Sequence, residues 1–282
     1  MDIIQTINDK FSSLSPNQQK VAQYILINWE KVCYESAITI AETLGVSQST
    51  VIRTASALEF DGFPSLQNEL RKLVTDRVSI INILDKARSL TSGQGMDELI
   101  TQIFRQHGEN LDATLRQIDP QRVKAAAAAM VEGRKLFVIG MRSSGSAAHY
   151  LGFNSSMIRR NVIILDSDYN LVERMLDISA HDTVVCISFS RYTKLVITAM
   201  KWSKKMGATL IGITDASTSP LVGIVKIPFI VGTQSTHFNL SHIGVVALMD
   251  VLLTSMTLEN KETTTKKLQE VERSLQRFDA FT

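Results

Sequence analysis

Two hydrophobic textures divide the chain. Up to about residue 77, apolar positions keep helical spacing, as at Ile3, Ile7 and Phe11. Ser15-Pro16 reads as an N-cap followed by proline at the first helical position. It opens a helix expected to bury Val21, Ile25, Ile27 and Trp29. Further helices run to about Asp76. Arg77–Leu90 suits a helical connector, and Thr91-Ser92-Gly93-Gln94-Gly95 suits a break. An amphipathic helix is expected over Met96–Gln117. Asp119-Pro120 then caps another, which runs through the alanines Ala125–Ala129 to Gly133.

From Lys135 the texture changes to short unbroken apolar runs. These are Leu136–Ile139, Val162–Leu165, Val184–Ile187, Leu210–Ile213 and Val225–Val231. Runs rich in β-branched residues, with no polar alternation, suit strands covered on both faces of a parallel sheet. Helical patterns lie between and after them, near Ser144–Arg159, Asp168–Leu176, Thr193–Met206, Ser241–Met256 and Thr263–Phe278. The expected fold is an N-terminal all-α domain followed by a C-terminal α/β domain, with a doubly wound parallel five-stranded sheet. The expected division is 1–77 for the helical domain, 78–122 for a helical linker, 123–266 for the α/β domain and 267–282 for a terminal helix.

Composition narrows the class. Of 282 residues, 44% are hydrophobic, enough for two cores and against wholesale disorder. No run of about 18 apolar residues suggests a membrane span. Met1-Asp2-Ile3-Ile4 has neither the basic nor the apolar part of a secretory leader. Cys33 and Cys186 stand far apart and outside any metal or redox motif. They read as reduced core residues of a cytoplasmic protein. Charge is less helpful: residues 1–77 carry seven Lys/Arg against nine Asp/Glu, a net of −2. Nucleic-acid binding must therefore rest on local arrangement rather than on bulk charge.

Such an arrangement occurs at Ser36–Leu58. Ile40, Ala41 and Leu44 form the apolar face of a short helix. Gly45 permits a tight turn and Val46 plugs the corner. Ser47 can cap a second helix, anchored by Val51, Ile52, Ala55 and Leu58. Its other face is expected to show Gln48, Ser49, Thr50, Arg53 and Thr54. Gln can read adenine, Arg can read guanine, and Ser or Thr suit phosphates. A plain helical hairpin shares the glycine turn, but the acid-free polar face favours a helix-turn-helix. Ser47, Gln48, Ser49, Thr50, Arg53 and Thr54 are the candidate DNA contacts.

In the α/β half, two strand ends run into hydroxyl-rich turns and then helices. One is Gly140-Met141-Arg142-Ser143-Ser144-Gly145-Ser146. The other is Ile187-Ser188-Phe189-Ser190-Arg191-Tyr192-Thr193-Lys194. Hydroxyls and free N–H groups at a helix N-terminus bind anions, and strand C-termini are where open α/β sheets bind ligands. Neither loop is a Walker or a dinucleotide motif. Ser188, Ser190 and Thr193 can cradle a phosphate, with Arg191 or Lys194 adding charge. His237 and His242 lack a third partner for a metal. Glu173 suits a surface helix better than a catalytic base, and Ser143 and Ser188 lack a histidine at motif spacing. No metal and no cofactor is expected.

Ala41–Leu66 resembles the helix-turn-helix of the RpiR/MurR family of bacterial regulators, above all in Gly45-Val46-Ser47, Thr50-Val51, Arg53 and Gly62-Phe63. The second half is similar to a SIS (sugar isomerase) domain in Gly140–Ala148, Ile187–Lys194, Gly212–Asp215, Ser219–Leu221 and Ser241–Leu253. The resemblance implies a homodimer or homotetramer on a palindromic operator in double-stranded DNA, with a phosphosugar effector. It further implies effector contacts at Ser143, Ser144, Ser188, Ser190 and Thr193, and repression as the commoner behaviour. The chain departs from the pattern at Arg142, where glycine is frequent. Arg191-Tyr192 replaces the Gly-x of catalytic SIS enzymes, and His242 stands where arginine is common. The function expected is a DNA-binding transcription regulator of carbohydrate metabolism. A sugar-phosphate isomerase or deaminase with a helical extension is the alternative, and it lacks a convincing base.

Overall fold

The computed structural model describes residues 3–77, 95–165 and 170–279, with residues 84, 88 and 93. The connector at 77–90, the break at 91–95 and the helix start at Asp168 fall largely outside the described residues. The chain forms two compact units, Met1–Asn82 and Ile83–Thr282.

The first unit has five α-helices among the described residues, α1 (Ile3–Lys10), α2 (Pro16–Val32), α3 (Ala37–Leu44), α4 (Gln48–Ala57) and α5 (Gly62–Arg77), with a single 3-10 turn at Phe11–Ser13. The Ser15 N–H donates to Gln18 Oε1 at 3.0 Å and so closes the N-terminus of α2. Ile3, Ile7, Val21, Ile25, Ile40, Val51, Leu58, Leu66 and Leu70 meet in one core. Each fully buried aliphatic side chain there contributes about 1.5–3 kcal/mol. Two anchors expected from sequence are not anchors. Ile27 is 71% exposed and Ile52 40% exposed. Helical phase explains both: Val21, Ile25 and Val32 set the inward face of α2, and Val51, Ala55 and Leu58 that of α4. Ile27 and Ile52 lie off those faces.

The second unit runs α6 (Met96–Gln117), α7 (Pro120–Glu132), β1 (Leu136–Gly140), α8 (Ser143–Ile158), β2 (Val162–Leu165) and α9 (Leu171–Met175). It continues with β3 (Thr183–Ile187), α10 (Lys194–Lys205), β4 (Thr209–Thr214), β5 (Ile227–Ile230), α11 (Ile243–Glu259) and α12 (Lys261–Arg277). The terminal helix begins at Lys261, ahead of the boundary expected at 267. All strand pairs are parallel, in the order β2-β1-β3-β4-β5. The period-two alternation of strand side chains feeds two cores. Leu136, Val138, Val185, Ile187, Ile211 and Ile213 face α7, α8 and α11. Phe137, Ile139, Val184, Cys186 and Leu210 face α9 and α10. β1 and β3 are buried along their whole length. No single helix among the described residues is long and apolar enough to cross a membrane.

α6 docks in an unusual way: its fully buried residues are polar, Asn110 and Thr114. The Asn110 side chain donates from Nδ2 to the Gln234 carbonyl at 2.7 Å, and its Oδ1 accepts from the Gln234 N–H at 3.0 Å. Thr114 Oγ1 donates to the Asn110 carbonyl at 2.7 Å and accepts from the Gly232 N–H at 2.9 Å. Every one of these buried groups is thus satisfied. The segment they hold, between β5 and α11, leads to His242.

Candidate functional site

In the first unit, α3 ends at Gly45 in the left-handed conformation, φ 64 and ψ 37. This turns the chain within two residues, so that α4 can cross α3 over the small Ala41. The Ser47 Oγ then accepts from the Thr50 N–H at 3.2 Å and caps α4. Gln48, Ser49 and Arg53 are exposed and Thr50 is half-buried, so these four share an accessible face near the start of the helix. The Arg53 guanidinium folds back on Ser49, with contacts of 3.3 Å to its carbonyl and its hydroxyl. Thr54 does not share that face. It is fully buried, and its Oγ1 donates to the Thr50 carbonyl at 2.8 Å. Its phase, three residues after Val51 and four before Leu58, turns it into the core. Arg53 is the single charge between Ser47 and Leu58.

In the second unit, the chain leaves β1 for β2 on one side and later returns to β3 on the other. Beyond the C-termini of β1 and β3 lies the topological switch point, the crevice where sheets of this order bind ligands. Both hydroxyl-rich loops end there. Gly140 lets α8 pass close to β1, since a Cβ would stand 2.5 Å from the Ser144 carbonyl oxygen. α8 begins at Ser143, which is exposed; Ser144 and Ser188 are buried. Thr193 caps α10 by position only, for its side chain makes no capping hydrogen bond.

Ser190 is differently engaged. Its N–H donates to Asp215 Oδ2 at 3.0 Å, and its hydroxyl donates to the same oxygen. Tyr192 donates to Asp215 Oδ1 at 2.9 Å. Burial, and then the charge of Asp215, push the Tyr192 phenol far above its ordinary value. The residue between them, Arg191, takes φ 69. Arg142, two residues beyond β1, takes φ 56 and ψ −130. The centroid of the His242 ring lies 5.7 Å from that of Phe189. Burial, and then His237, lower the His242 imidazole below its usual value, and its Nε2 is buried without a hydrogen-bond partner among the described residues.

Ser143, Ser144, Ser188 and Thr193 therefore all lie in the segments that follow the C-terminal ends of the neighbouring strands β1 and β3. The structure spends Ser190 on Asp215, which sequence reasoning missed. The missed signal was register: Ile187 pairs with Ile213, so residues 188–190 and 214–215 emerge side by side. Among the described residues no group of three His, Cys, Asp or Glu gathers as a metal site.

Comparison with known proteins agrees with this two-part arrangement. Residues 1–76 match the model of the helix-turn-helix domain of the rpiR family, and residues 130–258 match that of the SIS domain. The chain is an rpiR-family helix-turn-helix regulator with a SIS domain. Over 99% of its length this regulator is 24% identical to the HTH-type transcriptional regulator HexR of Escherichia coli, covering 96% of that protein. It is likewise 24% identical to HexR of Pseudomonas aeruginosa, over 97% of its own length and 95% of the other's. The sugar isomerase domain of an RpiR transcription factor from Sphaerobacter thermophilus superposes with a TM-score of 0.60 at 26% identity. That match covers 62% of this chain and 99% of the other. The Vibrio vulnificus NanR protein, solved in complex with ManNAc-6P, superposes with a TM-score of 0.68 at 19% identity, over 98% of this chain and 99% of the other. At that identity NanR bears on the fold alone. The chain is a DNA-binding transcription regulator.

Proposed function

We propose that this regulator controls carbohydrate-metabolism genes in the cytoplasm, and that its operator binding responds to a phosphosugar held at the β1/β3 crevice. The observation that carries the reading is that Ser143, Ser144, Ser188 and Thr193 lie in the segments that follow the C-terminal ends of β1 and β3, at the switch point of the sheet. These four would contact the phosphate, and Ser190 would hold its loop through Asp215. NanR, solved with ManNAc-6P, supports the ligand class. On the DNA side Gln48, Ser49, Thr50 and Arg53 would reach the major groove. Ser47 would cap the reading helix and Thr54 would support it from within. The functional division is 1–77 for DNA, 78–122 as connector, 123–266 as sensor and 267–282 as the closing segment.

A homo-oligomer, taken as a dimer, on a palindromic operator belongs to the proposal. α6 exposes Ile100, Phe104, Leu111 and Leu115 within one helical stripe, an apolar face suited to a second copy. Repression is the mode proposed. The test is fluorescence anisotropy with the intergenic DNA upstream of the gene, with and without a panel of phosphosugars. Sequence-specific binding that one phosphosugar weakens is expected. Binding no tighter than to random DNA, or affinity unmoved by every saturating phosphosugar, would remove the proposal.

A further inference from the structure

The last helix of the second unit is moored at one end only. α12 turns away from α11 by 107° and lies against α8. Thr264 is its one buried residue, and the Arg160 guanidinium, just before β2, pairs with Glu270 at 2.8 Å. Beyond Thr264 no residue of α12 is buried. Yet this end is not polar throughout. Leu268, Val271, Leu275 and Phe278 follow at intervals of three, four and three residues and so form one stripe along the helix. Leu268 and Phe278 are exposed, and Val271 and Leu275 are half-buried. None of the four joins a hydrophobic core among the described residues. A short helix with its apolar stripe in water is marginal, because packing of that stripe supplies most of its stability.

The stripe itself says what covers it. Its spacing is that of a heptad, with Leu268 and Leu275 at a and Val271 and Phe278 at d. Ser274 then falls at g. Val271, Ser274, Leu275 and Phe278, with Lys267 and Glu270, line a depression of about 220 Å³ to which no other element contributes. Four residues at d, g, a and d of one helix form the hole that receives an a-position knob from a facing helix. The knob that fits is Leu275 of a second copy. Charge favours the same partner. In a parallel pair each g residue faces the next e residue of the other helix, which sets Lys267 opposite Glu272 twice. An antiparallel pair would set e against e, and so Glu272 against Asp279 or another Glu272. We infer that α12 pairs with α12 of a second copy as a short parallel coiled coil. This face is separate from the apolar stripe of α6. α6 lies beside β5 and α12 beside the start of β2, and these strands are the two edges of the sheet. Pairing through α12 therefore extends the homo-oligomer proposed above: it joins such dimers two by two.

Two measurements on the full chain test this. The first is cysteine cross-linking. Cys33 and Cys186 are buried, so an added surface thiol has no native competitor on the outside of the fold. In a parallel pair in register each a position meets its own copy at a separation that a disulfide spans. Leu268→Cys and Leu275→Cys should therefore each give a covalent dimer on mild oxidation. Arg273→Cys, on the outward f position, should not. Cross-linking at neither leucine, at only one of them, or equally at Arg273→Cys would overturn the parallel pair. The second measurement is mass by light scattering. Leu268→Glu/Leu275→Glu buries charge only if the stripe is covered, and it should halve the mass of the assembly. An unchanged mass would overturn the inference. The α6 pairing is read separately in Phe104→Glu/Leu115→Glu, so failure of one face is told apart from failure of the other.

Discussion

Ser190 and Asp215 hold each other through both the backbone N–H and the hydroxyl of the serine. With Tyr192 on the other oxygen, the carboxylate is bound by hydroxyls and an amide, with no ion-pair partner among the described residues. It fixes the turn at Arg191, because residues on both sides of that arginine grip the same group. Asp215→Ala should therefore loosen the β3 loop and weaken effector binding about tenfold, with operator affinity in the absence of effector unmoved. Titration calorimetry reads this directly. A rise in effector affinity instead would mean that the carboxylate competes with the effector's phosphate for Ser190.

Arg53 and Thr54 are neighbours in sequence with opposite fates. Arg53→Ala should cost operator affinity about 1–3 kcal/mol if the guanidinium reads a base. Thr54→Val, close in shape and buried, should change it less than about twofold, the hydroxyl's bond to the Thr50 carbonyl being internal to the helix. Gel-shift titrations of both variants make the comparison. Equal losses would show that Thr54 lies in the interface.

Gly45 needs its left-handed backbone and not its lack of bulk, for a Cβ there would meet nothing within 4 Å. Gly45→Ala should destabilise the first unit by about 1–2 kcal/mol through conformational strain alone. Denaturant unfolding followed by helical signal would measure it, and an unchanged midpoint would contradict the turn.

Asp182, at the opposite edge of the sheet from the crevice, is a stability group. Burial acts to raise its pKa. The Arg134 guanidinium at 2.8 Å and the donors of Ser179 and Lys135 outweigh burial and hold it below the ordinary carboxylate value. A carboxyl depressed in the folded state adds stability that is complete above its unfolded pKa, about 3.9, and is lost as pH falls through the folded value. The chain should therefore weaken below about pH 4. Asp182→Ala, which leaves the Ser179 and Lys135 N–H donors without their acceptor, should lower the thermal midpoint near neutrality and flatten the acid limb. An acid limb of undiminished steepness in the variant would assign the effect to other carboxylates.

Asn110 joins α6 to the segment that leads to His242. If that segment carries the effector's influence into α6, Asn110→Leu should leave measurable effector and operator binding while reducing the factor by which one alters the other. A merely structural role would lower stability and preserve that factor. Anisotropy titrations with and without effector distinguish the two.

Local features were legible in the chain and non-local ones were not. The turn at Gly45, the cap at Ser47 and the span Met96–Gln117 each depend on residues within one or two helical turns. The strands announced themselves as apolar runs, because both faces of the sheet are covered. Errors arose where residue type was read without phase. Ile27 and Ile52 are apolar but point outward, and Thr54 is polar but points inward, because the faces of α2 and α4 were set by their neighbours. Asp215 was beyond reach for another reason. Its meeting with Ser190 requires β3 and β4 to be adjacent and in register, and strand order is decided by crossovers that no short segment encodes.

If α4 reads the operator as proposed, its single charge bears on how the regulator searches a genome. Affinity that any DNA sequence can supply comes from displacing counterions around phosphates, one for each cation brought near. A unit of net charge −2, presenting Arg53 alone along this helix, displaces few. Its binding should fall only gently with added salt, and little of the protein should be held on arbitrary DNA. Occupancy would then follow hydrogen bonds to particular base edges, and in the proposed dimer two half-sites read at once would supply the affinity that one unit lacks.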